Sequence, residues 1–189
     1  MFSALALLAP AAACGTDKAD LSTARSFDRY QLYYLGDSFQ GEQLTAAPEP
    51  YRNSFIYGDC EAKSDTGCAP PLEIQNASVC ERFPLKYAVP SRRYYEARGA
   101  LAGYFPSAGG TDVYTGSTTI TIFTSLGLPV HEIIAALRPV RGPANLDRDL
   151  PPPAFPRSML RELRRTERPE RLGLERHVAA LPRVRPTPC

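Results

Sequence analysis

A chain of 189 residues can bury a sizeable core as a single domain, and nineteen prolines with thirteen glycines make it turn-rich. Ten tyrosines and eight phenylalanines, with no tryptophan, suit half-buried strands. The net charge of +2 hides an asymmetry: residues 1–156 carry 13 basic and 16 acidic groups, residues 157–189 nine arginines and four glutamates. Arginine outnumbers lysine by 19 to 3, a bias that high-GC coding produces, so arginine richness alone does not argue for an anionic partner.

Residues 1–13 read as a secretory signal. Phe2 to Leu8 is almost wholly apolar, Ala11 to Ala13 is small, and the run is too short for a bilayer, which takes about 20 residues. The expected cut falls between Ala13 and Cys14. Ala11-Ala12-Ala13 meets the A-x-A pattern of an ordinary signal peptide, and the same stretch with Cys14-Gly15 resembles the lipobox of bacterial lipoproteins. Cysteine parity favours the second reading. With Cys14 carrying lipid, four cysteines remain (Cys60, Cys68, Cys80 and Cys189), and four can pair completely in an oxidising compartment. The lipid then adds membrane affinity at about 0.8 kcal/mol per buried CH₂. The expected location is extracytoplasmic, lipid-anchored to the cell membrane or secreted, which removes nucleic acid as a partner.

Residues 14–26 are polar and short, and read as a tether. Residues 27–141 form a β-rich α+β domain. Tyr30 to Leu35 places aromatic surface on both faces of a strand that Gly36-Asp37 stops, and Phe39 to Thr45 returns as a hairpin partner. Ser54 to Tyr57, Leu72 to Gln75, Leu85 to Val89 and Ala100 to Phe105 are further strand candidates. Asp112 to Tyr114, the turn Thr115-Gly116 and Ser117 to Thr124 make the best hairpin, whose second arm is dense in β-branched residues. A helix follows. Pro129 suits its first turn, Val130, Ile133, Ile134 and Leu137 form an i, i+3, i+4, i+7 stripe, and Arg138-Pro139 ends it.

Residues 142–156, with prolines at 143, 151, 152, 153 and 156, read as a semi-rigid linker. Residues 157–189 read as a basic helical segment and tail, two thin helices split by Pro169 and a tail from Pro182 that orders only if Cys189 is bridged. The arginines there could meet an anionic envelope surface, but Glu162, Glu167, Glu170 and Glu175 interleave with them at helical spacing and offset their charge.

No complete catalytic or metal-ligating motif is present, and no cofactor is implied. Leu35-Gly36-Asp37-Ser38-Phe39 resembles the first block of the GDSL (SGNH) hydrolases, in which the serine is the nucleophile; the resemblance implies that role for Ser38. The family's D-x-x-H block has no counterpart, because Leu128 and Leu174 stand three residues before His131 and His177. A lone histidine is usually structural or solvated. The spacing of Cys60, Cys68 and Cys80 is too wide for paired zinc ligands and suits disulfides, with Cys60 joined to Cys68 or Cys80 and the remaining cysteine to Cys189. Asn76-Ala77-Ser78 is a glycosylation sequon, though a bacterial lipoprotein does not use it there.

Tyr33-Tyr34-Leu35-Gly36, Tyr57-Gly58-Asp59-Cys60, Gly67-Cys68-Ala69-Pro70-Pro71-Leu72 and Cys80 together resemble uncharacterised secreted or lipid-anchored proteins of high-GC actinobacteria. The resemblance spans about residues 32–140 and implies a cell-envelope location and a three-cysteine segment. It brings no activity. The expected protein is a non-enzymatic envelope lipoprotein, structural or binding. The alternatives are an exported GDSL-like hydrolase using Ser38, and envelope-surface binding through the arginine-rich C-terminal segment.

Overall fold

The computed structural model describes residues 19–48, 53–59, 61–62, 68–81, 93–105, 109–125, 127, 129–165, 176, 178–179 and 184–187. The elements of the first half are α1 (Ser22–Ser26), β1 (Tyr33–Tyr34), β2 (Ser38–Phe39), β3 (Glu42–Ala46), β4 (Ser54–Tyr57), β5 (Glu61–Ala62), β6 (Cys68–Ala69) and β7 (Leu72–Ser78). The second half holds β8 (Arg93–Ala97), β9 (Ala100–Phe105), β10 (Gly110–Thr115), β11 (Thr118–Thr124), α2 (Val130–Ala136), β12 (Arg138–Pro139), β13 (Ala154–Pro156), α3 (Arg157–Arg165) and β14 (Arg185–Thr187). The class is α+β, mainly antiparallel sheet.

Eight strands form one antiparallel sheet in the order β2-β3-β4-β7-β11-β10-β9-β8. Two meanders meet at its centre. The first runs inward from β2 to β7. The chain then crosses to the far edge at β8 and returns through β9 and β10, so that β11 pairs with β7 from Thr118↔Ser78 to Thr124↔Leu72. Short hairpins explain each return. Phe39↔Glu42 and Ala97↔Ala100 are closed by the two-residue turns Gln40-Gly41 and Arg98-Gly99, all four with positive φ, the type I′ geometry that matches strand twist.

Both faces of the sheet are covered, which is why the five consecutive residues Thr118 to Ile122 are all buried in β11. One face carries Phe55, Tyr57, Ile74, Ile120 and Ile122. It is closed by Ala24 of α1, by the β1 segment, and by Ile133 and Ile134 of α2 with Leu137. The stripe read from the sequence is therefore the surface that α2 buries. The other face carries Leu101 and Tyr114, which sit opposite one another in the β9–β10 register, and is closed by Phe155 and Met159. Tyr114 and Phe155 lie with ring centroids 5.9 Å apart.

Two stretches differ from the sequence reading, and a third, the tail, is one whose order that reading ties to a bridge at Cys189. The end of the tether forms α1 and buries Leu21 and Ala24 in the core. The second half of the proline-rich stretch packs on the sheet: Leu150 is buried, Gly116 N–H donates to the Pro151 carbonyl at 3.2 Å, and Ala154 N–H donates to the Gly116 carbonyl at 2.7 Å. Prolines cannot donate, but their carbonyls accept, so an extended proline-rich segment can still be anchored by its acceptors. The tail is ordered at β14, which pairs parallel with β13 from Ala154↔Arg185 to Pro156↔Thr187. The candidate strand at residues 85–89 lies outside the described residues.

Candidate functional site

A cleft of about 380 Å³ opens at one end of the sheet, between the β8–β9 and β10–β11 turns, the end of α2 and the segment 141–151. Arg98 is its organising residue. It occupies the first position of the β8–β9 turn with φ +51°, where asparagine or aspartate is usual and an arginine backbone is strained by about 1–2 kcal/mol. Its side chain supplies the compensation. Nη1 donates to the carbonyls of Ile134, Ala135 and Leu137 at 2.9, 3.0 and 2.9 Å, and Nη2 donates to the Arg148 carbonyl at 2.7 Å. The last carbonyls of a helix have no intrahelical partner, and a cation there is favoured by the helix dipole. Leu150 N–H donates to the Arg98 carbonyl at 2.7 Å, which fixes the opposite wall. Burial pushes the Arg98 guanidinium below its ordinary pKa, and the charge of Asp149 opposes that shift.

Tyr33 of β1 lines the same cleft. Burial raises its phenol above the ordinary value, against a hydrogen bond with Thr115 and the charge of Arg98. Thr115 in turn donates to the Pro151 carbonyl at 2.7 Å. Arg141 and Arg148 stand exposed at the rim. The lining thus holds three arginines against the one carboxylate of Asp149, between walls of Leu137, Pro139, Leu150 and Pro151.

The residues singled out from sequence lie elsewhere. Ser38 is exposed on β2, the edge strand of the sheet, within a tight hairpin rather than at a strand-to-helix turn. The block around it has a packing role. Gly36, at φ +97°, has no Cβ, and the Arg138 guanidinium fills that space. Arg138 Nη2 donates to the Leu35 carbonyl at 2.8 Å, and the guanidinium lies 5.4 Å from the centre of the Tyr34 ring. The Tyr57 hydroxyl accepts from Leu35 N–H at 2.7 Å and donates to the Gly36 carbonyl at 3.1 Å. The glycine is therefore accounted for by two partners brought by the fold.

His131 is exposed on α2 and no described hydrogen bond joins it to Ser38; His177 lies outside the described residues. Asn76 is buried, donates to the Tyr33 carbonyl at 3.0 Å and accepts from Tyr33 N–H at 2.8 Å, so its amide is consumed by β1. Cys80 is disulfide-bonded and half-buried beside the Phe155–Met159 cluster, against which Val184 also packs. Its partner is one of the cysteines whose side chains are not described. Cys14, Cys60 and Cys189 lie outside the described residues, and Cys68 opens β6. Among the described residues no three metal-ligating side chains cluster, and no helix is long and apolar enough to cross a membrane.

A second polar group, absent from the sequence reading, is internal to the sheet. Asp112 is buried and accepts from Thr121 Oγ1 at 2.7 Å and from the Tyr114 hydroxyl at 2.9 Å. Two donors on a buried carboxylate meet part of its desolvation cost. Nothing in the sequence signalled that Arg98 caps α2. Comparison with protein-family models, with curated proteins and with solved structures finds no match for this chain.

Proposed function

We propose that the chain is an exported protein held at the membrane by lipid on Cys14, and that it acts there by binding rather than by catalysis. The cleft beside Arg98 carries the binding half of this reading: a cation fixed by four carbonyls, flanked by two exposed arginines and walled by proline and leucine. The leader and the Cys14-Gly15 pair support the address, and a disulfide at Cys80 is at home in an oxidising compartment. The hydrolase alternative loses support where Leu35–Ser38 turns out to anchor Arg138 and Tyr57.

Intact mass of the mature protein, with and without reductant, tests the address. Loss of residues 1–13, added lipid mass that disappears in Cys14→Ala, and a mass gain on reduction are expected. A chain recovered with Met1 and free thiols overturns it. An ester-substrate screen of wild type against Ser38→Ala tests the non-catalytic half, which fails if wild type hydrolyses an ester and the variant does not.

A second reading, envelope-surface binding through the C-terminal segment, has one observation in its favour. On α3, Met159 is buried against the sheet while Arg157 and Arg161 face solvent. Its test is vesicle binding: Arg157→Glu with Arg161→Glu should abolish association with anionic vesicles.

A further inference from the structure

We infer that the cleft beside Arg98 binds a small oxyanion, a carboxylate or a phosphate ester, carried on a body with apolar faces such as a sugar ring. The inference rests on the binding role proposed above and names its ligand class. Charge is the first ground. Every described hydrogen bond of the Arg98 guanidinium goes to a neutral carbonyl. The one ion pair among the described residues is Arg29 with Glu81, away from the cleft. Three arginines therefore face the cleft against Asp149 alone, and low-dielectric walls strengthen the attraction of an entering anion.

The walls are the second ground. A bare anion would leave Pro139, Pro143 and Pro151 against water, whereas the C–H faces of a ring cover them. The rim is the third. Gln31 donates its Nε2 to the Leu32 carbonyl, which leaves its amide oxygen as an acceptor. Asn145 accepts Asp147 N–H on Oδ1, which leaves its amide NH₂ as a donor. One acceptor and one donor suit ring hydroxyls. About 380 Å³ is within the range of small-molecule sites, about 300–1,000 Å³.

Calorimetric titration of the full chain with glucose 6-phosphate, galacturonic acid, inorganic phosphate and glucose tests this. One of the two charged sugars should bind at least about tenfold more tightly than glucose and than inorganic phosphate, and the tighter of the two identifies the anion as phosphate ester or carboxylate. Arg148→Glu should weaken that affinity about tenfold, as should Arg141→Glu, which stands exposed and keeps the test if the first variant does not fold. Glucose binding as tightly as both charged sugars overturns the anion and leaves the binding role standing. Inorganic phosphate binding as tightly as the better charged sugar overturns the ring-shaped body. Failure of both charged sugars to bind a folded protein, or unchanged affinity in a folded charge-reversal variant, overturns the inference outright. None of these outcomes bears on the lipid, which the mass measurement reads separately.

Discussion

Replacing Gly36 by alanine perturbs the point where the β1 segment, β4 and β12 meet. At φ +97° an L-residue is strained by at least about 1 kcal/mol. The added Cβ would overlap the Arg138 guanidinium, so that side chain must leave. With it go a charge-assisted hydrogen bond to Leu35, about 1.5–3 kcal/mol, and a cation–π contact on Tyr34, about 0.5–1 kcal/mol. The expected loss is about 3–5 kcal/mol, read in urea unfolding as a lower midpoint at unchanged slope. The partner is testable by a double-mutant cycle. In an Arg138→Ala background the overlap is gone, and Gly36→Ala should cost only its backbone strain, about 1 kcal/mol, which gives a coupling of about 2 kcal/mol or more. A cost below about 1 kcal/mol in the wild type, or the same cost in both backgrounds, would refute the reasoning.

Alkaline pH should destabilise the fold. Tyr57, Tyr33 and Tyr95 are all raised above their ordinary value, first by burial, so the native state keeps protons that the unfolded chain releases. Stability is then full below pH 10 and falls above it, by up to about 1.4 kcal/mol per pH unit for Tyr57 alone; a flat melting temperature from pH 9 to 11, or an unchanged profile in Tyr57→Phe, would contradict this. Asn76→Ala should cost about 2–4 kcal/mol in urea unfolding, because it strands a buried N–H and carbonyl of Tyr33; a loss within about 0.5 kcal/mol would show that β1 is held by other means. Peptide mapping without reductant should join Cys80 to Cys189, since Val184 and the Phe155 of β13 share the Cys80 cluster and β14 runs beside β13; a Cys80 peptide linked to Cys60 or Cys68 would exclude it. That bridge closes a loop of about a hundred residues, so reducing it should cost about 4.7 kcal/mol.

What could be read from the sequence was local. The α2 stripe, its proline start and the Arg138-Pro139 stop are all contained in about ten residues, and the structure ends the helix at Ala136. The β10–β11 hairpin is equally local, with Gly116 in its turn. Strand β8 was missed for a physical reason. It lies at the sheet edge with every residue exposed or half-buried, so R-Y-Y-E-A has no alternation of burial to imprint on the sequence. The parallel β13–β14 pair was hidden because prolines argue against strands, and the signal that remained was Phe155, an apolar ring in a stretch otherwise suited to solvent.

The same distinction separates the two candidate sites. Gly36-Asp37-Ser38 looked like chemistry because a glycine, an acid and a hydroxyl stand together in the chain. Its glycine is instead required by the guanidinium of Arg138, far along the chain, a cause no local pattern contains. Arg98 is the converse. It has an unremarkable place in the sequence, yet it accepts backbone strain in a turn where asparagine would relax. From there it reaches three carbonyls at the end of α2 and one in the segment that forms the far wall of the cleft. The open carbonyls at a helix end can be satisfied by water alone. A strained arginine that instead holds two walls apart, with no carboxylate bonded to it among the described residues, leaves positive charge at the mouth of a cleft, and that placement turns a cap into a candidate binding group.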